Sequence, residues 1–144
     1  MTDAHALRFA AVDVGTRRVG VAITDPLRMF AQPVGAFPPG EALLVVVRLH
    51  AEHGLEAVAV GWPLDDDGEE GAAVARTKPF AGRLRKLLPG VRVEVQDETG
   101  SSRRAVEALV AAGTRRSARR KSTGRLDSAA AGVILDDFLR ERER

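Results

Sequence analysis

Three carboxylates stand where the chain could use them for chemistry. Asp13 ends the apolar run Phe9-Ala10-Ala11-Val12 and enters the turn Val14-Gly15-Thr16. Asp97-Glu98 close a second run, Arg92-Val93-Glu94-Val95-Gln96, and Asp127 opens the last apolar segment. A desolvated carboxylate at the end of a buried strand is costly unless something pairs with it. A divalent cation is one such partner, and oxygen-only ligands suit hard ions such as Mg²⁺ or Mn²⁺. Two such ions about 4 Å apart can activate a water and stabilise the leaving oxygen in phosphodiester hydrolysis, with no side-chain nucleophile.

Each acid also has an ordinary explanation. Asp13 could bond the turn that follows it. Asp127 could be an N-cap or first-turn acid, and Asp97-Glu98 could cap a helix starting near Ser101. All three ordinary readings would have to hold on one edge of one sheet for the chemical reading to fail.

Basic residues crowd between two of these acids: Arg103, Arg104, Arg115, Arg116, Arg119, Arg120, Lys121 and Arg125. With Arg17 in the first turn, they are candidate phosphate contacts. The formal net charge is only +2, but phosphate contacts come from local patches rather than from the mean. A charge run can equally be a solvated face. The acidic counterpart lies elsewhere, at Asp65, Asp66, Asp67, Glu69 and Glu70.

The elements that must position these groups follow from apolar patterning. Residues 7–13 read as a central strand, 19–24 as a second strand closing a hairpin, and 30–37 as an edge strand containing Pro33. Residues 41–53 read as a helix with Leu44, Val47 and Ala51 at helical spacing and Gly54 as its C-cap. A short buried strand follows at 57–61, then an acidic loop. Residues 72–88 read as a helix that Pro79 should kink or restart. A fifth strand spans 91–97, a helix 101–112, a basic loop 114–124, and a last helix 126–139 with a fraying charged tail. The order predicts an α/β fold, with a five-stranded mixed sheet and helices on both faces. Asp13 and Glu98 then fall at C-terminal strand ends, where open α/β sheets carry their ligand crevice. Counting from Asp127, Ala130, Ala131, Ile134 and Phe138 form one helical stripe, so Asp127 belongs to the face that meets the sheet.

Length and composition bound the rest. A chain of 144 residues suits one domain, residues 1–144, and its apolar fraction of 44% is ordinary for a globular protein. With no cysteine, thiolate metal sites and disulfides are excluded. His50 and His53, spaced i and i+3, read first as a solvated helix end. No secretory signal or membrane-length apolar run is visible, which predicts a cytoplasmic protein. One tryptophan and five phenylalanines are the only aromatics, too few for a platform of stacked bases. That favours reading a nucleic-acid backbone and its shape.

The motifs in order resemble the YqgF/RuvX family of Holliday junction resolvases. Asp13-Val-Gly-Thr-Arg-Arg-Val-Gly20-Val-Ala-Ile-Thr-Asp-Pro26 is similar to the family's opening, and Val60-Gly61-Trp62-Pro63-Leu64 with Asp67-Gly68 and Glu70-Gly71 to its second motif. Asp97-Glu98 with Ser101-Ser102 resembles the third, and Asp127-Ser-Ala-Ala-Ala with Ile134-Leu135 the last. The resemblance spans nearly the whole chain. It implies an RNase H-like fold and a nuclease using two Mg²⁺ or Mn²⁺ ions at Asp13, Glu98 and Asp127. It further implies a four-way DNA junction or the 5′ end of precursor 16S ribosomal RNA as substrate, and a bacterial cytoplasm. Strand alternation puts Asp97 and Glu98 on opposite faces, and the family pattern selects Glu98. One departure stands out: Thr99-Gly100 replace the arginine and large apolar residue usual after the acidic pair, and Arg103 or Arg104 are the candidates to take over that arginine's contact.

Two other functions compete. A non-catalytic nucleic-acid-binding module of the same fold would act in transcription or ribosome assembly. An actin-like phosphotransferase also begins with Asp-x-Gly-Thr, but it needs two such domains to clamp a nucleotide. Resolving a junction by two symmetric cuts favours a homodimer.

Overall fold

The computed structural model describes residues 7–62, 71–98 and 115–142, and in the last of these the side chains from 128 onward. Strands β1 (Arg8–Val14) and β2 (Val19–Thr24) form the expected hairpin, and β3 (Ala31–Phe37) pairs with β2 at the edge. Helix α1 (Pro39–His53) leads to β4 (Leu55–Trp62), α2 (Ala72–Leu87) to β5 (Arg92–Asp97), and α3 (Arg115–Arg142) comes last. The sheet order is β3-β2-β1-β4-β5. Strand β2 runs antiparallel to both its neighbours, β1 and β3, whereas β1, β4 and β5 are mutually parallel. All three parallel strands therefore end at one edge, the edge that holds Asp13 and Glu98.

Strand alternation divides the core in two. Ala10, Val12 and Val14 of β1, with Val58 and Val60 of β4, face α1 and α2. Phe9 and Ala11, with Ala22, Ala57 and Ala59, face α3 and meet Ala131, Ile134, Leu135 and Phe138. The alanines keep that second layer thin, so α3 rides close to the sheet. Burying each large side chain of the α3 stripe contributes about 1.5–3 kcal/mol.

Several expected elements differ in detail. In α1 the buried residues are Ala42, Leu43, Val45, Val46 and Leu49, while Leu44 is exposed. The run Leu43-Leu44-Val45-Val46-Val47 is apolar all round, so periodicity alone does not choose its phase. Strand β4 extends from Leu55 to Trp62, longer than residues 57–61. Helix α2 continues through Pro79. Pro79 and Ala75, whose carbonyl lacks its usual donor there, are both exposed, so water can take that place.

The largest difference lies in the last helix. Residues 114–124 read as a loop, yet the backbone is helical from Arg115. Alanine, arginine and lysine are good helix formers, and a missing apolar stripe does not by itself exclude a helix. Asp127 consequently lies well inside α3, not in its first turn, which removes the N-cap explanation for it. The tail also stays helical to Arg142. The expected helix at 101–112 and most of the acidic loop after Trp62 lie outside the described residues.

Candidate active site

Asp13 is the last residue but one of β1. Its side chain continues the Phe9–Ala11 alternation and so leaves the sheet on the α3 side. The turn beside it is tight: the Gly15 N–H donates to the Arg18 carbonyl at 2.8 Å. A Cβ on Gly15 would meet that same carbonyl oxygen at 2.9 Å, so the hairpin requires glycine there. Thr16, Arg17 and Arg18 are exposed on this turn, at the same edge as Asp13.

On β5, Val93 packs toward α1 and α2, which sends Glu94, Gln96 and Glu98 to the α3 side. The buried Gln96 side chain confirms the phase, since its Nε2 donates to Glu141 Oε2 of α3 at 2.7 Å. The Glu98 N–H donates to the Trp62 carbonyl at 3.0 Å, carrying the ladder past the end of β5. Glu98 is half-buried, with Oε1 fully enclosed, whereas Asp97 is exposed on the opposite face. Of the acidic pair, Glu98 shares a face with Asp13.

Strand β4 separates the two. Val12 pairs with Val60, which sets Gly61 beside Asp13, and Gly61 itself pairs with Gln96, so Glu98 lies one same-face position beyond that row, toward the strand end. Gly20 is the ladder partner of Asp13 on its other side. Asp13 is thus flanked by glycine on both neighbouring strands.

Helix α3 runs antiparallel to β1 across this face. Ile134 sits over Gly61, Phe138 meets the Phe9 ring edge-on at 5.4 Å, and Arg142 bonds Glu56 at the start of β4. The helix's N-terminal direction therefore points toward the edge where Asp13 and Glu98 end. Asp127 lies on that side, two turns before Ile134 and one turn before the buried Ala131.

Among the described residues, no group of three His, Cys, Asp or Glu side chains could hold a metal ion. Asp13 and Glu98 supply two candidate ligands, and the third expected one, Asp127, lies where side chains are not described. The same holds for Arg115, Arg116, Arg119, Arg120, Lys121 and Arg125, all of which the backbone brings onto α3. Arg103 and Arg104 lie outside the described residues, as does the altered Thr99-Gly100 pair. The donor chemistry suits a hard cation: the acids offer oxygen only. His50, by contrast, is structural, because its Nδ1 accepts the Leu55 N–H at 3.0 Å and closes the α1–β4 turn.

Sequence reasoning missed a cluster at the opposite edge. Glu56 takes Arg28 on Oε1 at 2.7 Å, and Arg92 and Arg142 on Oε2 at 3.0 and 3.4 Å. A register shift at the start of the β1–β4 ladder lets Leu55 join the α1–α2 core while Glu56 reaches Arg142. The guanidiniums of Arg28 and Arg142 each lie 4.6 Å from the Phe9 ring centre. This cluster ties the C-terminal end of α3 to the sheet. Its members are far apart in sequence, and no local pattern announces it.

The mixed sheet, with its hairpin meander followed by two parallel strands and helices on both faces, is that of the RNase H-like fold. Solved structures agree. Thermus thermophilus RuvC in complex with Holliday junction substrate aligns over 95% of this chain and 97% of its own, with TM-score 0.55 at 14% identity. RuvC of the same organism in a second structure gives TM-score 0.52, covering 94% of this chain. At such identity the likeness speaks for the fold.

The family is shown by sequence. Residues 7–141 match the RuvX family, described as Holliday junction resolvase, and the chain belongs to that family of nucleases. A protein of Chlorobaculum tepidum described as "Putative pre-16S rRNA nuclease" is 42% identical over 96% of this chain and 97% of its own. One of Salinibacter ruber with the same description is 43% identical over 92% of each. Among the described residues, no helix is long and apolar enough to cross a membrane.

Proposed function

We propose that the chain is a divalent-metal-dependent endonuclease, with Asp13, Glu98 and Asp127 as its metal-holding and catalytic residues. The observation that carries this reading is the shared face of Asp13 and Glu98. Both leave the α3 side of the sheet at the ends of parallel strands, with the single strand β4 between them. Mg²⁺ or Mn²⁺ bound there would supply Lewis acidity to the scissile phosphate and its attacking water.

The chain's own residues divide the remaining work. Asp13 is held in the β1–β2 ladder opposite Gly20, and the Glu98 N–H by the Trp62 carbonyl. Neither has to be ordered at the moment of reaction. Exposed Arg17 on the neighbouring turn meets the phosphate backbone beside the site. Arg103, Arg104, Arg115, Arg116, Arg119, Arg120, Lys121 and Arg125 extend that contact and give binding its salt dependence. Phe30 is the one aromatic with a largely exposed ring, and it lies at the far edge of the sheet. Recognition at the site is accordingly of backbone and shape rather than of stacked bases.

A Holliday junction and pre-16S ribosomal RNA are the substrates this reading takes from the descriptions of the family and its relatives, and the 5′ end of that RNA is what the resemblance adds. On a four-way junction, a homodimer would supply the two symmetric cuts. The cytoplasm is where both substrates are met. The test compares a four-way junction, a linear duplex and a precursor ribosomal RNA with each metal. Cleavage of the junction or the precursor, absent with chelator, is the expected result. Binding without cleavage of any of them would make the chain a non-catalytic nucleic-acid module.

A further inference from the structure

We propose that Gly61 is a positioning residue, which sets the seat of α3 over the acidic edge by carrying no side chain. The inference rests on the nuclease reading above. Its starting point is a single contact. A Cβ built on Gly61 would collide with Ile134 Cδ1 and stand 3.3 Å from Ile134 Cγ1. It would also lie 3.6 Å from the carbonyl oxygen of Val12, the residue before Asp13. Ile134 is nearly fully buried among Ala11, Ala59, Leu135 and Phe138, so it has little room to turn away. Ile134 therefore occupies the space a side chain at 61 would take.

Three facts make this contact more than ordinary packing. It lies on β4 directly between the strands that carry Asp13 and Glu98. It is the point on α3 from which Asp127 is two turns away, about 10 Å along the axis. And the other end of the helix is held separately, by Glu56 on Arg142 and by Gln96 on Glu141. A wedge under Ile134 would tilt the N-terminal part of α3 away from the sheet while its C-terminal end stays pinned. The separation between Asp127 and the two strand-end acids would change, and with it the fit for a cation. Gly61 touches no substrate in this account; it acts through Ile134.

The test measures Mn²⁺ binding by calorimetry, the metal concentration that half-saturates cleavage, and the thermal midpoint. Four proteins are compared: wild type, Gly61→Ala, Gly61→Ala with Ile134→Val, and Phe138→Leu. Gly61→Ala should weaken Mn²⁺ binding and raise the half-saturating metal concentration by about 10- to 100-fold, as loss of a supporting residue does at other metal sites. Removing the colliding Cδ1 with Ile134→Val should restore most of both. Phe138→Leu, on the same helix but at the far edge, should lower the thermal midpoint and leave Mn²⁺ affinity at the wild-type level. Should Gly61→Ala not fold, Ile134→Leu displaces the same contact from the helix side and must weaken Mn²⁺ binding.

Unchanged Mn²⁺ affinity in Gly61→Ala, or in Ile134→Leu where that variant stands in, overturns the proposal. So does a double variant that regains thermal stability but not affinity, or an equal loss of affinity in Phe138→Leu. If wild type itself neither binds Mn²⁺ nor cleaves, the nuclease reading has failed and the positioning role goes with it. If wild type does both and Gly61→Ala matches it, only the positioning role is lost.

Discussion

The Glu98 N–H donates to the Trp62 carbonyl at 3.0 Å, so the β4–β5 ladder runs past the last residue of β5. That bond decides which acid of the pair faces α3. It makes Glu98 a fixed part of the edge rather than the first residue of a loop. Asp97, one residue earlier, points to the other side and is exposed.

The acidic pair can therefore be separated by mutation. Glu98→Gln should lower cleavage by at least ~100-fold, the upper end of what supporting residues at metal sites contribute. Asp97→Asn should leave it within a few-fold of wild type. Single-turnover rates on one substrate measure both, and equal losses would mean that the face assignment is wrong.

The last helix should be a main source of stability. Leu135 is fully buried between α3 and the alanine-lined face of the sheet. Leu135→Ala should cost about 2–5 kcal/mol, read from denaturant midpoints at unchanged slope. A loss well under 1 kcal/mol would mean that the helix is not seated on the sheet as described.

Asp136 gives the fold a pH signature. Burial raises its pKa above the ordinary carboxylate value, and the Arg140 charge and the Ala31 N–H only partly offset this. The folded state therefore holds the proton more tightly than the unfolded chain, and this group's contribution falls as pH rises through the carboxylate range. Asp136→Asn should be more stable than wild type at pH 7, and the difference should vanish below pH ~4. Thermal midpoints across that range would show it, and a difference independent of pH would contradict it.

Asp25 carries the opposite sign. Its carboxylate accepts the N–H groups of Phe30, Met29 and Leu27 at 2.7, 2.8 and 3.1 Å. The Phe30 bond leads in holding its pKa below the usual value. The stability it lends is present at neutral pH and is lost as pH falls below the ordinary carboxylate pKa toward the lowered one. Asp25→Ala should thus lower the thermal midpoint at pH 7 and matter progressively less in acid. A constant deficit would assign the loop's order to something other than the charged carboxylate.

Neutralising Arg115, Arg116, Arg119 and Arg120 should weaken nucleic-acid binding and flatten its salt dependence. The slope of log K against log salt should fall by about 0.7–0.9 for each arginine that contacts a phosphate. Titrations at several salt concentrations measure this, and an unchanged slope would remove these residues from the interface.

Much of this was legible in the sequence, and for physical reasons. The hairpin, the buried parallel strands and the stripe Ala131, Ile134, Phe138 are strong periodic signals, and each lies where the pattern put it. The acidic edge followed because strand ends could be read. What escaped were features without local period. The phase of α1 was hidden in an all-apolar run. The helical backbone of the basic segment was hidden by its lack of an apolar face. The Glu56 cluster joins residues from three strands, a loop and a helix, and no spacing rule connects them. Likewise, Gly61 read as part of a motif, but the reason for its missing side chain emerged only when Ile134 was found above it.

Asp13 remains the residue on which the whole account turns. The most direct measurement is cleavage of a four-way DNA junction and of precursor 16S ribosomal RNA by wild type and Asp13→Asn, with Mg²⁺ or Mn²⁺ and with binding measured in parallel. The account predicts that wild type cuts at least one of them and that Asp13→Asn binds both nearly as well but cuts neither. An Asp13→Asn protein that cuts as fast as wild type would contradict it.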